Sequence, residues 1–433
     1  MAVVTKGIPH AASLVLLGVG LGLAFLYTVS PPLAVPLFAV AALLGCFIAP
    51  RAILLFLPLG ALMRQAAHAN MPLSDGWTIL VFALLGIAFA WLARHRRLAR
   101  RDWPIMLMLL FATISSATLI AGGEVNPLRQ LRALALVGLF LLAAQYMRPR
   151  PGLETADPFS RTNLLLVATA LTLFTALHAY FNHGFILGAR AFLSLRFAEV
   201  SPRSFVGVTG ALFVAALFVP APPQTRPLVR LVHLAMFAIV LGALAVAGVR
   251  MVMLAVLAAL ILAGALFHLP RLLFALRLSR QILLPLLILL AATILFVFAE
   301  HLLPAARLGR DITLQDNVRL RIWADLLASM GPMEWALGSG IGTDSQITGG
   351  TYVHSFHMGF LFVFGLPAFL ALVSLILRDL WVHGVVRPAP GAVAVIFYCL
   401  LAYSSAGDAD WPDFYFSYLL AYAVAFRPRQ APD

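Results

Sequence analysis

Apolar runs of about twenty residues recur along this chain, and they decide what it can become. A helix rising 1.5 Å per residue crosses the roughly 30 Å of bilayer hydrocarbon in about 20 residues. Runs of this kind fall at 11–29, 33–49, 52–66, 77–93, 104–121, 131–147, 162–181, 204–219, 229–248, 251–268, 282–300, 354–377, 392–404 and 413–426. They make fourteen candidate spans, or twelve if the run broken by Pro50-Arg51 and the short C-terminal runs are counted conservatively. Of the 433 residues 62% are hydrophobic and 11% charged, and the mean hydropathy is +0.97, well outside the range of soluble domains. A barrel would show short alternating segments instead. The expectation is an all-α, polytopic integral membrane protein of 12–14 helices, forming a single transmembrane domain over 1–433. The first run follows Lys6 and His10 and is long enough to span, so it reads as a signal anchor.

Charge sets the expected orientation. The formal net charge is +13, but it comes from arginines scattered through short loops, with Lys6 the single lysine, so it reports topology and not nucleic acid. With the N-terminus inside, alternate segments carry nineteen basic residues against five acids, and the remaining segments eleven against twelve. That bias puts both termini in the cytoplasm. The external arginines, which topology does not require, are Arg64, Arg129, Arg132, Arg190, Arg196, Arg203, Arg250, Arg307, Arg310, Arg319 and Arg321. Two external loops stand out, a smaller one at 182–203 and a large one at 301–353. Cys46 and Cys399 both fall in apolar runs, which supports neither a disulfide framework nor a thiolate metal site.

The large loop is the longest stretch that cannot sit in lipid, and such polar concentration beside a membrane marks a functional site. Asp316 can cap a helix over about 317–330, stopped by Gly331-Pro332. Within it Arg321 and Asp325 stand at i, i+4, spacing suited to an ion pair. Arg319 and Trp323 share that spacing, suited to stacking of guanidinium on indole. Gly338, Gly340 and Gly342 then allow the backbone a close approach. They lack the strand and spacing of a dinucleotide fingerprint.

The loop ends at His354-Ser355, which opens an apolar helix. Imidazole suits proton transfer near neutral pH, and Tyr352, Ser355 and His357 flank His354 as candidate substrate contacts, with Trp323 of the loop helix a further one. His357, at i+3, can share its face, although bonding within the bundle is the plainer expectation. Arg250 stands between two spans with almost no loop, either a functional guanidinium or a snorkelling one. Arg190, Arg196 and Arg203 share their loop with one acid, Glu199. With Arg250, Arg319 and Arg321 they offer forks for phosphate oxygens. Asp408-Ala409-Asp410 matches a bare D-x-D pattern, which here reads as structure or substrate positioning by Asp408 before metal binding.

On these residues the stretch from about 229 to 377 resembles the O-antigen ligases, within the wider family that includes the O-antigen polymerases. The likeness rests on Arg250 opening a span, the R-x-x-x-W stretch from Arg319 to Trp323, the glycine-rich turn, and His354-Ser355 followed ten positions on by Gly365. Ser355 stands where the family often has asparagine, Val249 where serine is common, and Pro367-Ala368 where a second glycine often appears; these departures touch the choice between ligase and polymerase. The resemblance implies transfer of a glycan from an undecaprenyl diphosphate carrier to the lipid A-core, on the periplasmic side of a bacterial inner membrane. It implies His354 as base, Arg250 and Arg319 on the diphosphate, and neither metal nor cofactor. A flippase or other transporter of lipid-linked sugars is the reading from a different class. It would need polar residues lining the midplane and both leaflets, whereas the concentrated ones here are external, and no inverted repeat is visible.

Overall fold

The computed structural model describes residues 102–146, 159–183, 202–219, 227–246, 250–273, 318–343, 355–404 and 412–425, with isolated positions at 18–44 and at 347. Among them there are helices and no strands. In chain order they are α1 (Trp103–Ala121), α2 (Pro127–Tyr146), α3 (Arg161–His183), α4 (Pro202–Phe218), α5 (Pro227–Val246), α6 (Arg250–Leu273), α7 (Val318–Ser329), α8 (Pro332–Leu337), α9 (Phe356–Trp381), α10 (Pro390–Ala402) and α11 (Pro412–Ala425). Six open on proline, whose missing N–H and fixed φ suit the first helical position. The expected runs at 11–29, 33–49, 52–66, 77–93 and 282–300 lie outside the fully described residues.

Four described segments are long and apolar enough to cross a membrane: Trp103–Ala121, Pro127–Gln145, Pro227–Leu244 and Phe356–Val386. α5 turns Leu228, Leu231 and Leu234 outward, 70%, 64% and 65% exposed, as a lipid-facing helix does because acyl chains do not reject leucine. α10 is the opposite case. Its residues Gly391 to Cys399 are all buried, and it is wrapped by α4, α6 and α11.

Glycine and tyrosine set the spacing around α10. On α4, a Cβ at Gly210 would fall 2.6 Å from Cζ of Tyr398 and one at Gly207 3.1 Å from Cζ of Tyr403. The absence of those methyls lets both rings reach the α4 backbone, where Tyr398 Oη donates to the Gly207 carbonyl at 2.7 Å. Tyr403 Oη bonds Ser417 Oγ at 2.8 Å and the Asp413 carbonyl at 3.0 Å. Its own carbonyl accepts from Phe356 N at 3.0 Å. Tyr403 therefore ties the end of α10 to the starts of α9 and α11.

The other end of the bundle is closed by charge. Arg161, opening α3, donates through Nε to the Val219 carbonyl at 2.7 Å and to Ala216 O at 3.2 Å, and through Nη2 to Leu217 O at 3.3 Å. A cation thus satisfies the last carbonyls of α4. Asp379 and Arg378 are drawn into a second network. The Asp379 carboxylate accepts from Arg378 Nε at 2.9 Å, Tyr418 Oη at 3.0 Å and Tyr422 Oη at 2.5 Å. The sequence pattern stops this helix at 377 and assigns Arg378 and Asp379 to a loop. The structure carries helix through Trp381 and a further π turn over Val382–Val386, because the carboxylate finds partners inside the bundle.

α9 is also not the single straight span expected at 354–377. Phe356 stacks on Phe414 with ring centroids 3.8 Å apart, while Asp379, twenty-three residues later, bonds Tyr418, only four residues beyond Phe414. A straight α-helix would separate Phe356 and Asp379 by about 34 Å, too far for both contacts. The bend is at Gly365, φ 80 and ψ 174, a region open essentially to glycine alone. Pro367 reinforces it, having no N–H for the Val363 carbonyl. α9 is thus a half-helix, 356–364, followed by a longer leg.

The turn after α8 receives that bend. Gly338 has the same unusual backbone, φ 79 and ψ 173. A Cβ there would lie 2.7 Å from Gly365 N, and one at Gly365 would lie 2.7 Å from Ala336 O. Ser339 N donates to the freed Phe362 carbonyl at 2.7 Å, and Ser115 of α1 donates to the carbonyls of Leu337 and Val363. Broken helices persist in membranes only when their carbonyls are re-satisfied in this way. Gly338→Ala is expected to lower unfolding stability by about 2–4 kcal/mol from strain and overpacking together. A melting temperature in detergent equal to wild type would contradict the interlock.

Candidate functional site

The half-helix 356–364 is held on two faces. Phe356, Phe360 and Phe364, at i, i+4, i+8, are fully buried. Phe356 meets Phe414 and Tyr415 of α11. Phe362 and Met358, also at i, i+4, join Ile322, Trp323, Leu326, Leu327, Met330 and Trp335 in a separate apolar cluster. α7 and α8 therefore dock on the helix that begins two residues after His354.

Ser355 caps this half-helix, its buried hydroxyl accepting from Met358 N at 3.4 Å. That supplies a structural role for a residue expected to touch substrate. His357 packs within the bundle as expected, its ring edge-on to Phe356 and Phe414 with centroids 5.7 Å from each. Both ring nitrogens are shielded from solvent, and the Tyr403 backbone carbonyl is placed to accept from the ring, the bonding within the bundle that was expected.

α7 runs over Val318–Ser329, close to the expected 317–330; Asp316, its expected cap, lies outside the described residues. Trp323 is partly buried in the cluster with Phe362. Arg319 precedes Ile322 by three residues and Trp323 by four, so its position continues the stripe that faces α9; its side chain is outside the description. Arg321 is exposed. The expected pair between Arg321 and Asp325 does not form. Both are exposed, where water competes with an i, i+4 pair worth little to begin with.

Helix direction brings further expected residues to the Tyr403 end. α4 begins there, since Gly207 packs against Tyr403, and Arg203 is in its first turn. α5 begins at the opposite end, where His233 Nε2 bonds Thr162 Oγ1 at 2.9 Å, beside Arg161. Twenty residues carry α5 about 30 Å away, and the link 247–249 spans at most about 14 Å. α6 must therefore open, with Arg250, away from the Arg161 end. The side chains of Arg203 and Arg250 lie outside the description. His354, Tyr352, Arg190, Arg196 and Asp408 lie outside the described residues altogether, as does Cys46.

Sequence reasoning missed the polar track that fixes the glycine turn. Gln130, fully buried on α2, donates from Nε2 to Ser116 Oγ at 3.0 Å and accepts from Ile341 N on Oε1 at 3.0 Å. One side chain thereby joins α1, α2 and the turn. A glutamine and two serines within apolar runs were the available signal. Of two arginines left out of the expected site, Arg132 is only 3% exposed, and Arg129 places Nη1 3.8 Å from where a Cβ on Gly342 would stand. Among the described residues no group of three His, Cys, Asp or Glu side chains is placed to hold a metal ion.

Compared with known family patterns, curated proteins and solved structures, the chain matches none.

Proposed function

We propose that this chain is an O-antigen ligase, joining a glycan delivered on undecaprenyl diphosphate to the lipid A-core at the periplasmic face of the bacterial inner membrane. The observation that carries the reading is the docking of α7 and α8 on the broken first half of α9. It connects the R-x-x-x-W helix and the glycine turn to the helix opened by His354-Ser355, the elements on which the family resemblance was based.

The chemistry follows from the residue types. His354 takes the proton of an acceptor hydroxyl; that oxygen attacks the anomeric carbon of the glycan; the bond from that carbon to the diphosphate oxygen breaks, and the diphosphate leaves on its carrier lipid. Negative charge grows on the departing diphosphate, and the guanidinium forks of Arg250 and Arg319 stabilise it. The N-terminus of a half-helix adds a positive dipole end at the same place. Arg190, Arg196, Arg203 and Arg321 supply long-range attraction or further contacts, and Tyr352, Trp323 and Asp408 position sugars.

In this account the arginines do what a divalent cation does in other transferases. Transfer from a polyprenyl diphosphate-linked glycan in proteoliposomes is therefore expected to proceed at an unchanged rate in excess EDTA. Transfer abolished by EDTA and restored by Mg²⁺ or Mn²⁺ would overturn the arginine-only mechanism and bring Asp408 and Asp410 forward as ligands.

A further inference from the structure

We propose that α8 and the glycine turn lie within the hydrocarbon layer of the membrane, the free face of α8 (Pro332, Met333 and Ala336) resting against lipid acyl chains. An embedded segment of this kind serves a transferase or a transporter alike. It departs from the expectation that 301–353 is a loop wholly outside the membrane.

Depth can be read along α1. Its outward stripe is Trp103, Met106, Leu110 and Ile114, exposed and apolar as lipid-facing positions are. Tryptophan favours the membrane–water interface, so Trp103 marks one edge. The turn Gly122-Gly123-Glu124, with Glu124 exposed, marks the other. Ser115 stands twelve residues from Trp103, about 18 Å along the axis, inside a hydrocarbon layer about 30 Å thick. Ser115 is also the donor to the carbonyls of Leu337, the last residue of α8, and of Val363. The end of α8 is therefore as deep as the lipid-facing Ile114. Six residues make α8 about 9 Å long, so whichever way it leans it stays within the layer. From Gly338 the chain climbs toward the α1–α2 turn. A Cβ on Gly340 would run into Val125 and Leu119, and Gly342 comes beside Arg129 near the start of α2.

α2 and α9 give the same depth. Phe140 follows Gln130, the partner of Ser116, by ten residues, about 15 Å along α2. It packs on Tyr418, whose hydroxyl bonds Asp379. The long leg of α9 thus runs from Gly365 toward the Trp103 edge, with Leu366, Leu370, Leu377 and Trp381 turned outward. Phe356 meets Tyr415, which meets the same Phe140, so the start of the half-helix is sunk as well.

The bonding and composition of the segment fit this depth. Non-helical backbone survives in hydrocarbon only where protein groups satisfy it. Here the Leu337 carbonyl takes Ser115, Gly338 N donates to Glu334 O at 2.7 Å, Ser339 N donates to Phe362 O, and Ile341 N donates to Gln130. That need explains two serines and a glutamine inside otherwise apolar spans. The free face of α8 carries no charge, and its Met333 is 63% exposed. On either side stand the exposed Ile114 and Leu366, the chain neighbours of Ser115 and Gly365. The acid of α8, Glu334, has Oε2 2.7 Å from where a Cβ on Gly331 would stand, folded back toward the helix N-terminus, where negative charge is favoured.

The test uses the full chain in proteoliposomes of phosphatidylethanolamine and phosphatidylglycerol. Ile114→Cys, Glu124→Cys, Met333→Cys and Ala336→Cys, each in a Cys46→Ala, Cys399→Ala background, carry a nitroxide whose relaxation by oxygen and by a water-soluble nickel chelate is compared. The labels at 333 and 336 are expected to match the one at 114, relaxed mainly by oxygen, and to differ from the one at 124, relaxed mainly by nickel. Relaxation mainly by nickel at 333 or 336 overturns the proposal, and the same result at 114 overturns the depth scale beneath it. Met333→Asp in the otherwise native chain supplies a measure that needs no label. Its melting temperature in lipid nanodiscs is expected to fall by about 5 °C, as that of Ile114→Asp does, because a carboxylate is costly in hydrocarbon. An unchanged melting temperature for Met333→Asp overturns the proposal.

Discussion

Arg250→Ala and Arg319→Ala are each expected to reduce glycan transfer by about 10²- to 10³-fold, the usual effect of removing one preorganised stabiliser of transition-state charge. The expectation is steep because of where the two residues belong. Arg250 opens α6 and Arg319 sits in the first turn of α7, the helix docked on Phe362 and Met358. Lysine at either position should recover only part of the activity, since it restores charge without the two-pronged geometry. Donor affinity should fall less than the rate, because the diphosphate carries more charge when leaving than when bound. Wild-type turnover in both alanine variants at equal protein levels would remove them from the mechanism. Attention would then move to Arg190, Arg196 and Arg203, and to the buried Arg132.

Why the helices were legible and the site's shape was not can be argued from single elements. Apolar runs bounded by proline locate α2, α4, α5, α10 and α11 to within a few residues, since lipid demands length and hydropathy whatever the neighbours. The bend in α9 is a tertiary property. Gly365-Leu366-Pro367 inside a continuous apolar run reads as a tolerated irregularity in one span, and only the partners of the freed carbonyls, Ser339 N and Ser115 Oγ, make a sharp break stable. Those partners are 26 and 250 positions distant along the chain. The glycine turn was expected to approach something closely, and that something is the chain's own Gly365 and Val363. Arg378 and Asp379 looked like loop residues because charge usually ends a span; two tyrosines four residues apart on α11 give the carboxylate a reason to stay inside. In the same way Gln130 is uninformative alone and becomes a bridge only once Ser116 and Ile341 converge on it.

In the proposed mechanism His354 acts on the acceptor's proton and not on the donor. His354→Ala is expected to abolish transfer while leaving membrane insertion, melting temperature and donor binding unchanged, because the proposed mechanism assigns the diphosphate to guanidiniums and the half-helix is capped by Ser355, not by the histidine. Loss of a general base typically costs about 10²- to 10⁴-fold. For the wild type, transfer should fall at acid pH once the base is protonated, since an imidazolium accepts nothing. The decisive measurement takes one purified His354→Ala sample and records on it both binding of a polyprenyl diphosphate-linked glycan and its transfer to lipid A-core. Binding retained with transfer lost is the predicted result. Transfer retained would contradict the account outright, and binding lost would make His354 a donor contact and leave the acceptor without a base.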